Sequence, residues 1–149
     1  MTNVVQKPDW SIWYLAAAIA CIGAGQSTIF ILIPAEVRSL GFNEFEVGII
    51  FSISAIAWMI FSPFWGRLSD RFGRKWIFLI GIFGFSLSMI LFAAIISAAS
   101  YNLIPFVLIL PLLIITRLIN GLLGSAVRPA AGGRIADLTS PETLSLIHI

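Results

Sequence analysis

Charged side chains are scarce in this sequence. Asp, Glu, Lys and Arg make up 11% of its 149 residues, against about 25% in an average soluble domain. A chain so poor in charge cannot cover a folded core with a water-facing surface. Apolar residues make up 59% of the sequence, and the mean hydropathy is +1.01. These values exclude an ordinary soluble domain and indicate that the lipid bilayer is the solvent of this chain.

Residues that carry catalysis, metal binding or cross-linking are equally scarce. The one cysteine, Cys21, lies in an apolar run and excludes an internal disulfide. The one histidine is His148, and the sequence has no recognisable carboxylate pair, metal-ligating cluster or phosphate-binding loop. The net charge is only +2, and the basic residues cluster in one segment, which favours a role in membrane orientation over nucleic-acid binding. We therefore expect no enzyme, no metal, no cofactor and no nucleic-acid partner.

What the sequence has in abundance is long uncharged runs, at residues 10–35, 47–66 and 76–116. About 20 apolar residues cross the hydrocarbon core of a bilayer, so the first two runs predict one helix each. The third run is too long for one crossing, and its polar, proline-containing part at 97–105 predicts a turn. Four transmembrane helices are predicted, at about 11–34, 47–66, 76–98 and 104–136. The last could end near 126, because Pro129 and the pair Gly132 and Gly133 weaken its continuation.

Basic residues are concentrated between the second and third predicted helices. This segment holds Arg67, Arg71, Arg74 and Lys75 against the single acid Asp70, whereas the segment between the third and fourth helices holds no charge. The positive-inside rule places the basic segment in the cytoplasm. The tail of residues 1–10 is then cytoplasmic as well, in a multi-pass protein of the inner (plasma) membrane.

The basic segment also carries the most specific motif of the chain, GRLSDRFGRK at residues 66–75. It resembles the signature loop of the major facilitator superfamily, G-x-L-a-D-r-x-G-r-k, and it stands between the second and third helices as in that family. The matching positions are Gly66, Leu68, Asp70, Arg71, Gly73, Arg74 and Lys75.

Several of these residues have a physical role that their chemistry explains. Gly66 lets a neighbouring helix approach, and Gly73 permits a tight reversal. Asp70 near the membrane face can meet Arg74 or the positive end of a helix, and such contacts suit a gate that opens and closes. The alternative is that the four basic residues, Arg67, Arg71, Arg74 and Lys75, only set the topology.

The predicted fourth helix strengthens the resemblance. Its face contains Arg117, Asn120, Gly121, Gly124 and Arg128 at helical spacing, similar to the family's pattern R-x-x-x-G-x-x-x on that helix. An arginine in an apolar span costs about 2.5–3.5 kcal/mol on insertion scales and should face a bundle interior or a cavity. The alternative is that it snorkels to the nearer interface. The resemblance associates this arginine with proton coupling or substrate charge, with Asn120 beside it in the pathway, and Gly121 and Gly124 in helix packing.

Two further features concern the gate and the substrate pathway. Asp137 is placed to pair with Arg74, and the resemblance puts that pair in the same gating network as Asp70. Gln26, the largest polar group in the middle of the first helix, could bind substrate or a neighbouring helix. Pro34 followed by Gly41 resembles the end of the first helix in drug:proton antiporters of the superfamily.

The resemblance implies an all-α membrane protein whose four helices form part of the N-terminal six-helix bundle of a twelve-helix major facilitator fold. Residues 11–143 would be a partial transporter domain, and 144–149 a non-native tail or the truncated start of a fifth helix. The implied function is alternating-access transport of a small-molecule substrate, as proton-coupled efflux of the tetracycline or multidrug type. It would need the C-terminal helices of the same protein, so we expect the chain alone to be inactive.

Three alternatives to this assignment remain open. The predicted helices contain no Asp or Glu, so a proton-binding carboxylate must lie elsewhere, or the antiporter assignment is wrong. An uptake symporter of the same superfamily is the second alternative, because the four helices do not separate export from import well. A stand-alone four-helix membrane protein is the third alternative, but small dimeric exporters need a glutamate in the first helix, and residues 10–35 contain none.

Overall fold

The computed structural model describes the backbone of residues 10–138 and the side chains of 13, 14 and 16–133. Within these residues the chain is helical, with short connections. The helices are α1 (Trp10–Ser39), α2 (Glu44–Phe72), α3 (Arg74–Ser100), α4 (Phe106–Ile119) and α5 (Val127–Leu138), with a π-helical turn (Asn120–Gly124) between the last two.

Four segments of the described chain are long and apolar enough to cross a membrane. They are Ala16–Ser39, Glu44–Phe72, Arg74–Ser100 and Phe106–Gly133. The predicted fold class, an all-α membrane protein with four transmembrane helices, is confirmed. The tail 1–10 (apart from Trp10, which begins α1) and the segment 144–149 with His148 lie outside the described residues.

Three of the helices extend past their predicted apolar limits. α1 continues to Ser39 rather than ending at 34. α2 begins at Glu44, because a capping box starts the helix there. In that box the Asn43 side chain accepts from the Glu46 N–H at 3.0 Å, and Glu46 Oε2 accepts from the Asn43 N–H at 2.8 Å. α2 then runs through the basic segment to Phe72, and α3 begins at Arg74. The signature segment is therefore helical on both sides of Gly73 rather than an open loop, because helical hydrogen bonds continue into the polar interface whatever the side-chain hydropathy.

The fourth span is one helical path with an irregular middle. α4 passes into the π-helical turn at Asn120, and α5 resumes at Val127 and reaches Leu138. Pro129 lies in the first turn of α5, where a missing N–H costs no regular helical hydrogen bond. The π-helical turn before Pro129 thus lets the fourth span continue past 126 to the later predicted end, near 136.

The fourth span packs between α2 and α3, and glycines allow the backbones to approach closely. A Cβ added at Gly121 would lie 2.5 Å from Ala57 Cβ and 2.7 Å from the Ser54 carbonyl oxygen. On α3, an added Cβ would lie 2.7 Å from Val127 at Gly81 and would overlap Leu123 at Gly84. Small residues at helix contacts are typical of membrane bundles, where dispersion and hydrogen bonds replace the hydrophobic effect.

The buried residues form two apolar clusters. The larger contains Ile33, Ile50, Phe92 and Leu113, with neighbours from α1 to α4. The smaller is built on Trp65, Ile77, Ala126 and Ala130, near the basic segment. A layer of polar side chains lies between them and holds the candidate site.

Candidate functional site

The middle layer of the bundle contains polar side chains that are buried. Its members are each at most 8% exposed and come from α2, α3, α4 and the π-helical turn: Ser54, Ser88, Thr116, Arg117 and Asn120. Because these side chains are buried, hydrogen bonds among them are costly to leave unmade.

Arg117 is completely buried, at 0% exposure. Its Nη2 donates to Ser88 Oγ at 3.3 Å and contacts Met89 Sδ at 4.0 Å, and the guanidinium lies 5.2 Å from the centre of the Phe92 ring. Its Nε has no hydrogen-bond partner among the described residues. All of these contacts are with neutral groups, so none of them neutralises the charge. Arg117 does face the bundle interior, as its cost in lipid requires, and does not snorkel.

Asn120 begins the π-helical turn and joins the fourth span to α2. Its Nδ2 donates to Ser54 Oγ at 3.2 Å, while its Oδ1 is buried without a partner among the described residues. The turn also leaves the Leu122 carbonyl free to accept the Trp65 indole N–H at 2.6 Å. A wide helical turn frees backbone groups, and in a membrane they must be satisfied by side chains.

A cavity of about 450 Å³ opens beside this layer, between α1, α2 and the fourth span. Its walls combine aromatic rings, small polar groups and two arginines: Gln26, Phe30, Phe51, Ser52, Ser54, Ala55, Trp58, Arg117 and Arg128. The volume is in the range of small-molecule sites, about 300–1,000 Å³. Two of the predicted pathway residues, Gln26 and Arg117, thus line one cavity, and the third, Asn120, bonds to Ser54 in its wall.

The signature segment forms a compact joint at the other end of α2. Gly73 has φ 96° and ψ 133°, and its N–H donates to the Ser69 carbonyl at 3.1 Å. Arg74 Nη2 lies 3.2 Å from Asp70 Oδ1, and the Arg74 guanidinium lies directly against Gly133 of α5. One arginine therefore contacts both the α2–α3 joint and the fourth span. The side chain of Asp137, its predicted partner, lies outside the described residues, although the residue itself falls within α5.

The remaining predicted residues are placed as follows. Arg71 and Lys75 are exposed at the joint. A Cβ at Gly66 would meet Pro129 at 3.7 Å, an ordinary contact, and one at Gly124 would meet Asn120 Oδ1 at 3.1 Å within its own helix. Among the predicted glycines, Gly121 is therefore the one at which the fourth span closely approaches α2.

Several residues of the site were not identified from the sequence. Ser54, Ser88 and Trp58 are common residue types in uncharged runs, and nothing in their local pattern distinguishes them. Gly81 and Gly84 on α3 repeat at a spacing of one helical turn, which is a usable signal for a packing face.

Residues 15–147 match the family described as Major Facilitator Superfamily. The chain is 30% identical over 128 residues to the Quinolone resistance protein NorA of Staphylococcus aureus (strain Mu50), which covers 86% of this chain and 30% of that relative. It is 40% identical over 74 residues to the Multidrug resistance protein MdtG of Proteus mirabilis (strain HI4320), which covers 46% of this chain and 18% of that relative. The chain thus spans less than a third of the length of these curated relatives.

Proposed function

The chain belongs to the Major Facilitator Superfamily, and we propose that its four spans work in the efflux of a small solute across the inner membrane by alternating access. The N-terminus and the basic joint face the cytoplasm in this proposal, as the positive-inside rule requires. Further helices of the same protein complete the cavity, and protons are the coupling ion. The names of the relatives, quinolone resistance and multidrug resistance, favour export over uptake.

The observation that carries the proposal is the contact of Arg74 with both the joint and the fourth span. Arg74 pairs with Asp70 at 3.2 Å and lies against Gly133. The Asp70 side chain is 65% exposed and that of Arg74 26%, and an ion pair with this exposure contributes only about 0–1 kcal/mol. A contact that weak can break and re-form at each transport cycle, which is what a gate on the cytoplasmic side needs.

Proton coupling requires a group that changes charge during the cycle. The middle of the four spans contains no Asp or Glu. We place the proton-binding carboxylate on other helices of the transporter, and Arg117 in the pathway as a fixed positive charge next to Asn120.

The function is tested by expressing the reading frame that carries these helices in a bacterium lacking its own efflux pumps. A fluorescent quinolone is the probe, and its accumulation is followed with and without an uncoupler of the proton gradient. We expect lower accumulation than in cells with an empty vector, and its recovery when the uncoupler is added. Higher accumulation would show uptake instead, and efflux insensitive to the uncoupler would refute proton coupling.

Asp70→Asn tests the gate in the same assay. It should reduce the efflux rate by up to about fivefold, the factor that corresponds to losing an exposed ion pair of about 1 kcal/mol. Glu44→Gln is the matched control, because Glu44 forms the comparable exposed pair with Arg38, 3.4 Å apart, at the opposite end of α2. Equal effects of the two substitutions would remove Asp70 from the gate. The purified 149-residue chain in liposomes should transport nothing.

A further inference from the structure

The cavity beside the polar layer carries positive charge that no acidic side chain balances among the described residues of its wall. Arg117 and Arg128 both line it, and its other lining residues are neutral. The acidic residues whose side chains are described lie near the ends of the helices, at Glu36, Glu44, Glu46 and Asp70. The part of the wall that these four spans supply is therefore positively charged.

The two arginines play different parts. Arg117 is fully buried and held by Ser88 and Phe92 on α3, so it acts on the cavity through its field. Arg128 is exposed, and its guanidinium lies 5.3 Å from the centre of the Trp58 ring in the cavity wall. Arg128 is thus the cation that a solute in the cavity can reach. The charge of the buried Arg117 acts at low dielectric, where it attracts an anion more strongly than it would in water.

The rest of the wall favours a flat ring. Phe30 and Phe51 stack with their ring centres 5.1 Å apart and an interplanar angle of 20°, and Trp58 adds a third aromatic surface. Gln26 and Ser52 supply neutral hydrogen-bonding groups beside them. Offset stacking and edge contacts with such side chains stabilise bound aromatic groups.

We propose that this cavity binds an aromatic carboxylate, with its ring against Phe30, Phe51 and Trp58 and its carboxylate paired with Arg128 in the field of Arg117. This inference rests on the proposed transport function and specifies its substrate class. A planar guanidinium suits a carboxylate because it can donate two parallel hydrogen bonds. An organic cation of the same size is disfavoured by the same charges.

The test measures binding to the 149-residue chain in discs of phosphatidylcholine by isothermal titration calorimetry. The probes are 2-naphthoate and 2-naphthylmethylammonium, which share a ring system and differ in charge. We expect the anion to bind at least about tenfold more tightly than the cation, since one charge-assisted hydrogen bond contributes about that factor. Weaker binding of the anion than of the cation, or no binding of either, would overturn the proposal.

Variants assign the effect to Arg128. Arg128→Gln should weaken naphthoate binding about tenfold, while Arg128→Lys retains most of it. Arg67→Gln is the matched control, because Arg67 is an exposed arginine of α2 that does not line the cavity. Unchanged affinity in Arg128→Gln would refute the site. Circular dichroism of each variant verifies that the helices are intact.

A lipid headgroup is another source of an anion at this charge. Discs that include phosphatidylglycerol distinguish the two: naphthoate binding that persists supports a solute site, and binding that disappears assigns the site to lipid. Failure of this proposal is distinguishable from failure of the transport proposal. Preferential binding of the cation overturns the substrate class and leaves efflux standing, whereas Arg128-dependent naphthoate binding without efflux in cells overturns transport alone.

Discussion

At the scale of single residues, Gly121 determines how closely the fourth span approaches α2. Its Cα faces Ala57 and the Ser54 carbonyl with no room for a methyl group. The same contact brings Asn120 within hydrogen-bonding distance of Ser54 at 3.2 Å. A missing side chain at one position thus positions a polar pair in the middle of the membrane.

Gly121→Ala should therefore destabilise the bundle. The added Cβ would lie 2.5 Å from Ala57 Cβ, and relieving such a contact in a packed interior costs about 1–3 kcal/mol. The measurement is loss of helical circular dichroism during unfolding in mixed micelles. Gly23→Ala is the control, because nothing lies within 4 Å of a Cβ there, and alanine in a helix is favoured over glycine by about 0.8–1.0 kcal/mol. Equal stability of the two variants would contradict the close approach.

At the scale of elements, the joint between α2 and α3 consists of one residue. Gly73 alone separates two long helices, and its φ of 96° is one that other residues rarely adopt. The charged residues around it extend both helices instead of forming a flexible loop. A joint of one residue keeps the end of α2 next to the start of α3.

Gly73→Ala should strain this joint by about 1–3 kcal/mol, the usual cost of a sparsely populated backbone conformation. The expected result is a lower unfolding midpoint in mixed micelles, although no atom lies within 4 Å of the added Cβ. Gly48→Ala, in an equally open position inside α2, serves as the control and should not lower the midpoint. A Gly73→Ala protein as stable as the Gly48→Ala protein would show that the joint tolerates a different backbone conformation.

At the scale of the whole molecule, the bundle exposes large apolar side chains and buries some polar ones, unlike a soluble protein. Large apolar side chains such as Ile31, Met59 and Phe83 are more than half exposed, while Arg117 and Asn120 are fully buried. In lipid, exposed apolar groups cost nothing and buried polar groups must find partners inside. The polar layer and the cavity beside it are therefore the expected place for function in this chain.

The orientation of the whole bundle is tested by labelling single cysteines in intact cells with a membrane-impermeant maleimide. In a Cys21→Ser background, Leu103→Cys should be labelled directly, because it lies in the connection opposite the basic joint. Phe72→Cys, at the joint, should be labelled only after the membrane is permeabilised. Both side chains are similarly exposed on the bundle, at 74% and 64%, and both lie at the ends of spans. The reverse pattern would place the basic joint outside the cell.

Several features of this protein follow from the sequence alone. Uncharged runs of bilayer length predict four spans, and the motif at residues 66–75 indicates the superfamily, which the family match confirms. These are local properties, since hydropathy and a contiguous motif depend only on neighbours in the chain. The same kind of reasoning placed Arg117 inside the bundle, because the cost of its charge in lipid does not depend on the partner.

Other features depended on the tertiary structure. The sequence could not show that Arg117 rests on Ser88 and Phe92, or that Gln26 and Arg128 line one cavity. Nor did it predict the π-helical turn, whose free carbonyl is satisfied by Trp65 from another helix. Each of these contacts joins residues far apart in the chain, so it depends on how each helix is rotated and how closely the helices approach. Packing between the spans determines both the rotation and the approach, and a hydropathy pattern contains almost no information about that packing.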